Sequence, residues 1–278
     1  MEKQAHKLSI IPAVRQDWPV IEKMFSATFQ TDIFFPLMKR RLYLAKKSSR
    51  FSKSISTLFA GNVYLLRSDN RPTGFIMLKK TGDKQMHLHY LAVASEFRRQ
   101  GLGKELTGFA LKVASEYGTD ISLETEADSP AMKLYSSLGF SVENQFYIYS
   151  LVPQSTPPGG QKTAVELRPV KEAKGIFTLA KEWLLGYKSS VLACNPHEEK
   201  SLSFHICRPT SGSAGIIHCS LSGVSNELLY QTLPHLAFHM NNPGGAYLVL
   251  SGADRAKLDS PWLRDRTDYV TMIKKHQS

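Results

Sequence analysis

The 278-residue sequence predicts a mixed α/β (α+β) fold: a central mixed, mostly antiparallel sheet with helices on its faces. Three observations carry that expectation. Short apolar segments bounded by turn residues follow one another between Asn62 and Val93, in hairpin order. The last of them enters a glycine-containing loop, then a long helical pattern, then a further strand, Ile121–Glu126. Hydrophobic residues make up 42% and aromatics 10% of the chain, enough to fill a core and to exclude wholesale disorder.

The elements follow in order. Leu8–Val14 reads as an opening strand, and Asp17–Phe29 has helical apolar spacing. Phe34–Arg50 repeats that spacing among basic residues. Asn62–Arg67 and Gly74–Lys79 read as a hairpin about Asp69-Asn70-Arg71-Pro72, and Thr81-Gly82-Asp83 turns the chain into Met86–Val93. A helix over Gly103–Tyr117 and the strand Ile121–Glu126 come next. A short helix over Ser129–Leu138 then ends at Gly139, a residue suited to a helix C-cap. Gln145–Leu151 closes this part as a strand. Residues 153–163 hold three prolines, two glycines and small polar residues with nothing to bury, which reads as a linker. The predicted domains are therefore 1–152 and 164–278.

The second half opens like the first, with an apolar run, Val165–Val170, before a helical pattern over Lys171–Leu185. Strands near Leu202–Cys207 and Gly215–Leu221, a helix near Asn226–Met240, and strands near Ala246–Leu250 and Asp268–Ile273 complete it. That order reads as a smaller, degenerate copy of the first half.

Composition narrows the function classes. No apolar stretch approaches the ~18 residues of a membrane span, and the N-terminus lacks a secretory pattern. Three cysteines, Cys194, Cys207 and Cys219, are odd in number and too widely spaced for a disulfide or zinc framework, so no metal is expected. A cytoplasmic location is the resulting expectation. The net charge of +11, shared by both halves, favours polyanionic partners, among them phosphorylated small molecules and nucleic acid.

The stretch richest in chemistry is Leu91-Ala92-Val93-Ala94-Ser95-Glu96-Phe97-Arg98-Arg99-Gln100-Gly101-Leu102-Gly103-Lys104-Glu105-Leu106. A strand runs through two glycines into a helix. Glycine permits positive φ and close backbone approach, and the exposed N–H groups of a helix N-terminus attract anions. Arg98, Arg99 and Lys104 add charge, so the segment reads as a phosphate or pyrophosphate cradle. It is not a dinucleotide fingerprint, because Leu106 stands where the third glycine would be. It is not a P-loop either, because Glu105 follows Lys104.

The segment resembles the acyl-CoA loop of the GNAT N-acetyltransferase superfamily. Arg98-x-x-Gly101-x-Gly103 after Leu91-x-Val93 is similar to the family's first signature. Leu123-Glu124, Ala131-Met132-Lys133-Leu134-Tyr135 and Leu138-Gly139-Phe140 are similar to its second. The resemblance covers about residues 8–152. It implies a GNAT-like acyl-CoA N-acyltransferase fold and transfer of an acetyl group from acetyl-CoA, as cosubstrate, to a primary amine on a small molecule or peptide. It places backbone groups of Leu91, Ala92 and Val93 against the acetyl and pantetheine portions. Arg98, Arg99, Gln100, Gly101, Leu102, Gly103 and Lys104 would hold the pyrophosphate, with Ala131 beside the cofactor. It implies Tyr135 as the acid for the departing thiolate and leaves the base open, with Glu124 the first candidate and His87, acting directly or through water, the alternative. Asp128 stands where the family often has asparagine.

Other groups are weighed against simpler roles. Glu126 shares the face of Glu124 by the period of two, and His87 and His89 share a face of the preceding strand. A hydrogen-bonded strand pair is the simpler reading of the histidines. His235 and His239 sit at i, i+4, but without a third ligand they read as helix surface. Lys39, Arg40, Arg41, Lys46, Lys47, Arg50 and Lys53 have no acidic residue among them. They read as a solvated face, or as a wall attracting an acidic substrate or nucleic acid. The second half lacks the loop signature and is expected to bind no CoA, serving the acceptor cleft or an oligomer interface such as a homodimer. A non-catalytic acyl-CoA-binding regulatory module is the alternative function, and a nucleic-acid-binding protein ranks after it.

Overall fold

In the computed structural model the described residues are 7–32, 35–48, 61–153, 167–170, 182, 187–194, 202–210, 214–220, 226–240, 245–251, 258 and 260–276. They form two compact units. One comprises Met1–Glu143 with Thr271–Ser278, and the other Asn144–Val270. The division thus falls within two strands, not at the proline-rich stretch, of which residues 154–163 lie outside the described residues.

The first unit begins with β1 (Leu8–Pro12), α1 (Trp18–Phe29) and α2 (Phe35–Ser48). It continues through β2 (Asn62–Ser68), β3 (Arg71–Gly82), β4 (Gln85–Val93), α3 (Leu102–Glu116), β5 (Asp120–Glu126) and α4 (Pro130–Ser137). Strands β1 to β4 pair antiparallel in sequence, and β4 pairs β5 in parallel. Asp69 and Asn70 take φ of 47° and 65°, the pair of left-handed residues that a two-residue hairpin turn needs. One face of the sheet buries Val63, Leu65, Phe75, Met77 and Ala92 under Ile21 and Phe25 of α1 and Met38, Leu42 and Ala45 of α2. Helix α3 packs on β3 and β4, with Leu106 against Gly74. The last residues of the chain complete this unit. The His276 amide donates to Asp120 at 2.7 Å, and Lys274 Nζ donates to the Leu138 carbonyl at 2.7 Å.

The second unit holds β7 (Leu167–Val170), β8 (Tyr187–Cys194), β9 (Leu202–Pro209), β10 (Gly215–Ser220), α5 (Asn226–His239) and β11 (Ala246–Ser251). Most of β6 (Ser141–Leu151) pairs antiparallel with β11. Strands β7 to β10 pair antiparallel and β10 pairs β11 in parallel, the same succession as β1 to β5. Leu229, Leu233, Leu236 and Ala237 of α5 form its core with Phe204, Ile206, Ile217 and Leu248. The helix expected over 171–185 lies outside the described residues except for Glu182. One strand, β12 (Leu263–Lys274), begins in this unit and ends in the first. Among the described residues no helix is long and apolar enough to cross a membrane.

Candidate active site

The site begins with a defect in pairing. Strands β4 and β5 are in register from Gln85↔Asp120 to Leu88↔Leu123, and their pairing stops there although both strands continue. On its other edge β4 carries a bulge: Met77 faces Tyr90 and Leu78 faces Leu88, leaving His89 as the extra residue. A bulge bends its strand and sharpens the local twist, which turns the end of β4 away from β5. Leu91, Ala92 and Val93 then line one wall of a wedge, and Glu124, Thr125 and Glu126 the other. Aromatic packing fixes the bend, since Tyr90 meets Phe25 and Phe29 of α1 edge-on at 5.1 and 4.8 Å between ring centroids.

The loop after β4 forms the second part. Ala94 N donates to the Thr73 carbonyl at 2.9 Å, and Arg98 Nε reaches back to the Val93 carbonyl at 3.1 Å. Arg99 has φ 65° and Gly101 φ 81°, so the chain turns left-handed twice before α3 starts. The N–H groups of Arg99, Gln100, Gly101, Leu102 and Gly103 donate to no acceptor among the described residues, and the first helical bonds come from Lys104 and Glu105 to the Gly101 carbonyl. Successive free amides in such a turn at a helix N-terminus make an anion nest. The two glycines differ in role. Gly101 faces open space and is needed for its φ, whereas a Cβ at Gly103 would come within 3.2 Å of Leu134 of α4. Gly103 therefore lets α4 approach α3.

Helix α4 brings up the phenol. Ser129 caps it, accepting from the Met132 amide at 3.1 Å, and Asp128 just before adopts φ 58°. Ala131, Leu134 and Tyr135 lie one helical turn apart on one face. Tyr135 is buried beside Phe140, and burial pushes its hydroxyl up to about 12. It stays protonated throughout the neutral range.

Charge in the wedge is set by burial first. Glu124 is exposed at the surface of the wedge yet crowded by protein. Burial, and then the Asp32 carboxylate, raise its pKa above the ordinary carboxylate value. His87 and His89 meet edge-on at 4.7 Å, and His87 Nδ1 lies 3.1 Å from Ser122 Oγ. His89 Nε2 is buried without a hydrogen-bond partner among the described residues. Burial, then His87, Arg41 and Lys79, push His89 down to about 3, and burial and Lys79 lower His87 too. Both imidazoles are thus neutral near pH 7, and His89, at about 3, binds a proton more weakly than a carboxylate raised above its ordinary value.

A stability test follows. Between about 6.5, the ordinary histidine value, and about 3, the unfolded chain binds a proton at position 89 that the folded chain refuses. Stability is therefore lost as pH falls through that window. His89→Gln is expected to remove on the order of a few kcal/mol of the acid sensitivity in urea titrations from pH 7 to 4. An unchanged slope would show that His89 is protonated in the folded state.

The residues assigned a role from sequence all lie in the first unit: Leu91, Ala92 and Val93 on β4, Arg98 through Gly101 in the loop, Leu102 through Lys104 at the start of α3, Glu124 on β5, and Ala131 and Tyr135 on α4. Sequence reading missed Lys79, Asp32 and Ser122, and placed Arg41 only within the basic run of the second helix. Only Ser122 carried a signal, being two residues from Glu124 on the same strand face. His235 and His239 lie in the second unit, and no group of three or more metal-type ligands occurs among the described residues. Arg50 and Lys53 lie outside the described residues.

Residues 24–140 match the Acetyltransferase (GNAT) family. The chain is similar to rat (Rattus norvegicus) N-acetyltransferase 8F1, 33% identical over 95 residues, covering 32% of this chain and 43% of that protein. The chain thus spans less than half the length of that relative. In fold, it is similar to a GCN5-related N-acetyltransferase from Sphaerobacter thermophilus, with a TM-score of 0.58 at 12% identity over 96% of this chain and 95% of that one. It is similar too to a tandem GNAT protein from the clavulanic acid biosynthesis pathway, with a TM-score of 0.53 at 12% identity over 95% and 98%.

Proposed function

We propose, from the premise that residues 24–140 form a GNAT acetyltransferase domain, that the protein moves an acetyl group from acetyl-CoA to a primary amine. The observation that carries this reading is the parted β4–β5 pair opening beside five unpartnered amides, a slot and an anion nest in series. A thioester arm in the slot would find main-chain groups of Leu91, Ala92 and Val93. Its diphosphate would lie on the amides of residues 99–103, with Arg98, Arg99 and Lys104 supplying charge.

The reaction is direct attack in a ternary complex. The amine nitrogen bonds to the thioester carbonyl carbon, and the carbon–sulfur bond breaks as the tetrahedral intermediate collapses. Glu124, through water, takes the proton the amine loses. Tyr135 donates to the departing sulfur. Its raised pKa makes it a reluctant acid but a fully protonated donor, so its effect is modest. Tyr135→Phe is expected to lower kcat about 10- to 100-fold with acetyl-CoA affinity kept, read from free-thiol release and calorimetry. Unchanged kcat would remove Tyr135 from the mechanism.

The second unit reads as a degenerate copy that binds no cofactor. Its parallel pair β10–β11 stays in register over all six residues, Gly215↔Ala246 to Ser220↔Ser251, and no register shift occurs between β9 and β10. A zipped parallel pair leaves no slot. Calorimetry with acetyl-CoA, then thiol release over an amine panel, tests the whole reading. No binding heat would end it, and binding without turnover on any amine would leave a regulatory acyl-CoA module in its place.

A further inference from the structure

The first residues past the split of the β4–β5 pair are His89 and Glu124. The last paired positions are Leu88 and Leu123, so His89 and Glu124 would form the next pair if the strands stayed joined. They also share a face of the sheet. His87 pairs with Ser122, and its Nδ1 lies 3.1 Å from the Ser122 hydroxyl. The His89 ring meets the His87 ring at 4.7 Å, and Glu124 follows Ser122 by two residues. An imidazole on β4 and a carboxylate on β5 thus stand on the two walls at the head of the wedge.

The two histidines differ in what they can still bind. His87 is engaged by Ser122. No described residue hydrogen-bonds His89 Nε2, which is closed off from solvent as well. An unmatched buried nitrogen costs stability, and a carbon ring of the same shape would avoid that cost. Burial first, then His87, Arg41 and Lys79, keep the imidazole neutral. With its proton on Nδ1, Nε2 is an acceptor with nothing to accept. The residue as a whole is only half-buried, and rotation about χ2 is soft in histidine, so the ring can present that nitrogen to the wedge by turning in place.

The reaction calls for such a group. A neutral primary amine has two N–H bonds and one lone pair. The lone pair attacks the thioester carbon, and one N–H proton passes through water to Glu124. The second N–H remains in the amide product and needs an acceptor once water is excluded. An acceptor across from Glu124 would hold that N–H and so aim the lone pair.

We propose that His89 is an acceptor-binding residue: its Nε2 takes the N–H that the amine keeps, while Glu124 takes the proton that it loses. This rests on the acetyltransferase reading above, and it makes the site selective for primary over secondary amines. An N-methylated amine has one N–H and cannot serve both groups.

The test uses the full chain, acetyl-CoA and three primary amines: benzylamine, 1,4-diaminobutane and a short peptide with a free N-terminus. Each is run beside its N-methyl derivative, with free-thiol release as the readout. The wild type is expected to favour the primary member at least about a hundredfold in kcat/KM. His89→Phe keeps a ring and loses the nitrogen. It should raise KM for the primary amine about tenfold, cut the preference over the N-methyl amine about tenfold, and leave acetyl-CoA affinity by calorimetry unchanged. His89→Gln returns an acceptor near the Nε2 position and should restore part of the preference, and His89→Leu is read in place of His89→Phe if the latter does not fold. Steric exclusion of the methyl group would act alike with and without the imidazole. An unchanged preference in the apolar variant therefore overturns the proposal and leaves the transferase reading intact. A wild type that acetylates both members of each pair equally overturns it without any variant. Absence of acetyl-CoA binding, or of turnover on every amine, is a different failure, that of the underlying reading, and the assignment of His89 falls with it.

Discussion

Gly101→Val is expected to weaken acetyl-CoA binding about a hundredfold, about 2.7 kcal/mol, in isothermal calorimetry. The reason is local. Gly101 sits at φ 81° with no atom within 4 Å of where a Cβ would be, so no packing inside the protein demands glycine there. A β-branched residue resists the left-handed conformation and would turn the Arg99–Gly103 amides out of convergence. The folding cost should be small, about 1–2 kcal/mol, because the loop is exposed. A second glycine supplies the control. Gly108 lies on the exposed side of α3 with open space around its Cβ position, and Gly108→Ala should stabilise the helix by about 0.5–1 kcal/mol and leave affinity unchanged. Wild-type affinity in Gly101→Val would mean that the diphosphate is held elsewhere.

Glu124→Gln is expected to lower kcat by about 10²- to 10³-fold with little change in acetyl-CoA affinity. Amide and carboxylate have nearly the same shape, so what is lost is the ability to accept a proton. The pH profile separates this from a structural effect. Burial and Asp32 raise the Glu124 pKa above 4.5, and the carboxylate is the working form. Activity of the wild type should therefore fall as pH drops through that raised value, and the limb should vanish in Glu124→Gln. An acidic limb that survives in the variant would move the proton-accepting role to another group. His89 is a poor substitute, since at about 3 it binds a proton more weakly than the carboxylate does.

Much of the first unit was legible in the residues. The hairpin at Asp69-Asn70, the α1 and α3 patterns and the Gly139 C-cap came out within a few positions, because turn chemistry and the 3.6-residue period are local properties. The loop from Arg98 to Lys104 was legible for the same reason, since two glycines among cations between a strand and a helix have few other uses. The opening of the wedge was not. His89 looks like any alternating strand residue, and it becomes the extra residue of a bulge only because β3 supplies one partner fewer across from it. Arg41 and Asp32 act on His89 and Glu124 only because α1 and α2 fold onto the same sheet face, and Lys79 acts on the histidines across the β3–β4 pair.

The chain alone determined its local grammar: which segments are strands and helices, where the backbone must turn left-handed, and which loop can hold an anion. Tertiary structure alone decided that β4 and β5 part while β10 and β11 stay joined. It also decided that the tail after Val270 completes the first unit. Pairing register and burial are properties of distant segments meeting, and burial is what sets the proton affinities of Glu124, Tyr135 and His89.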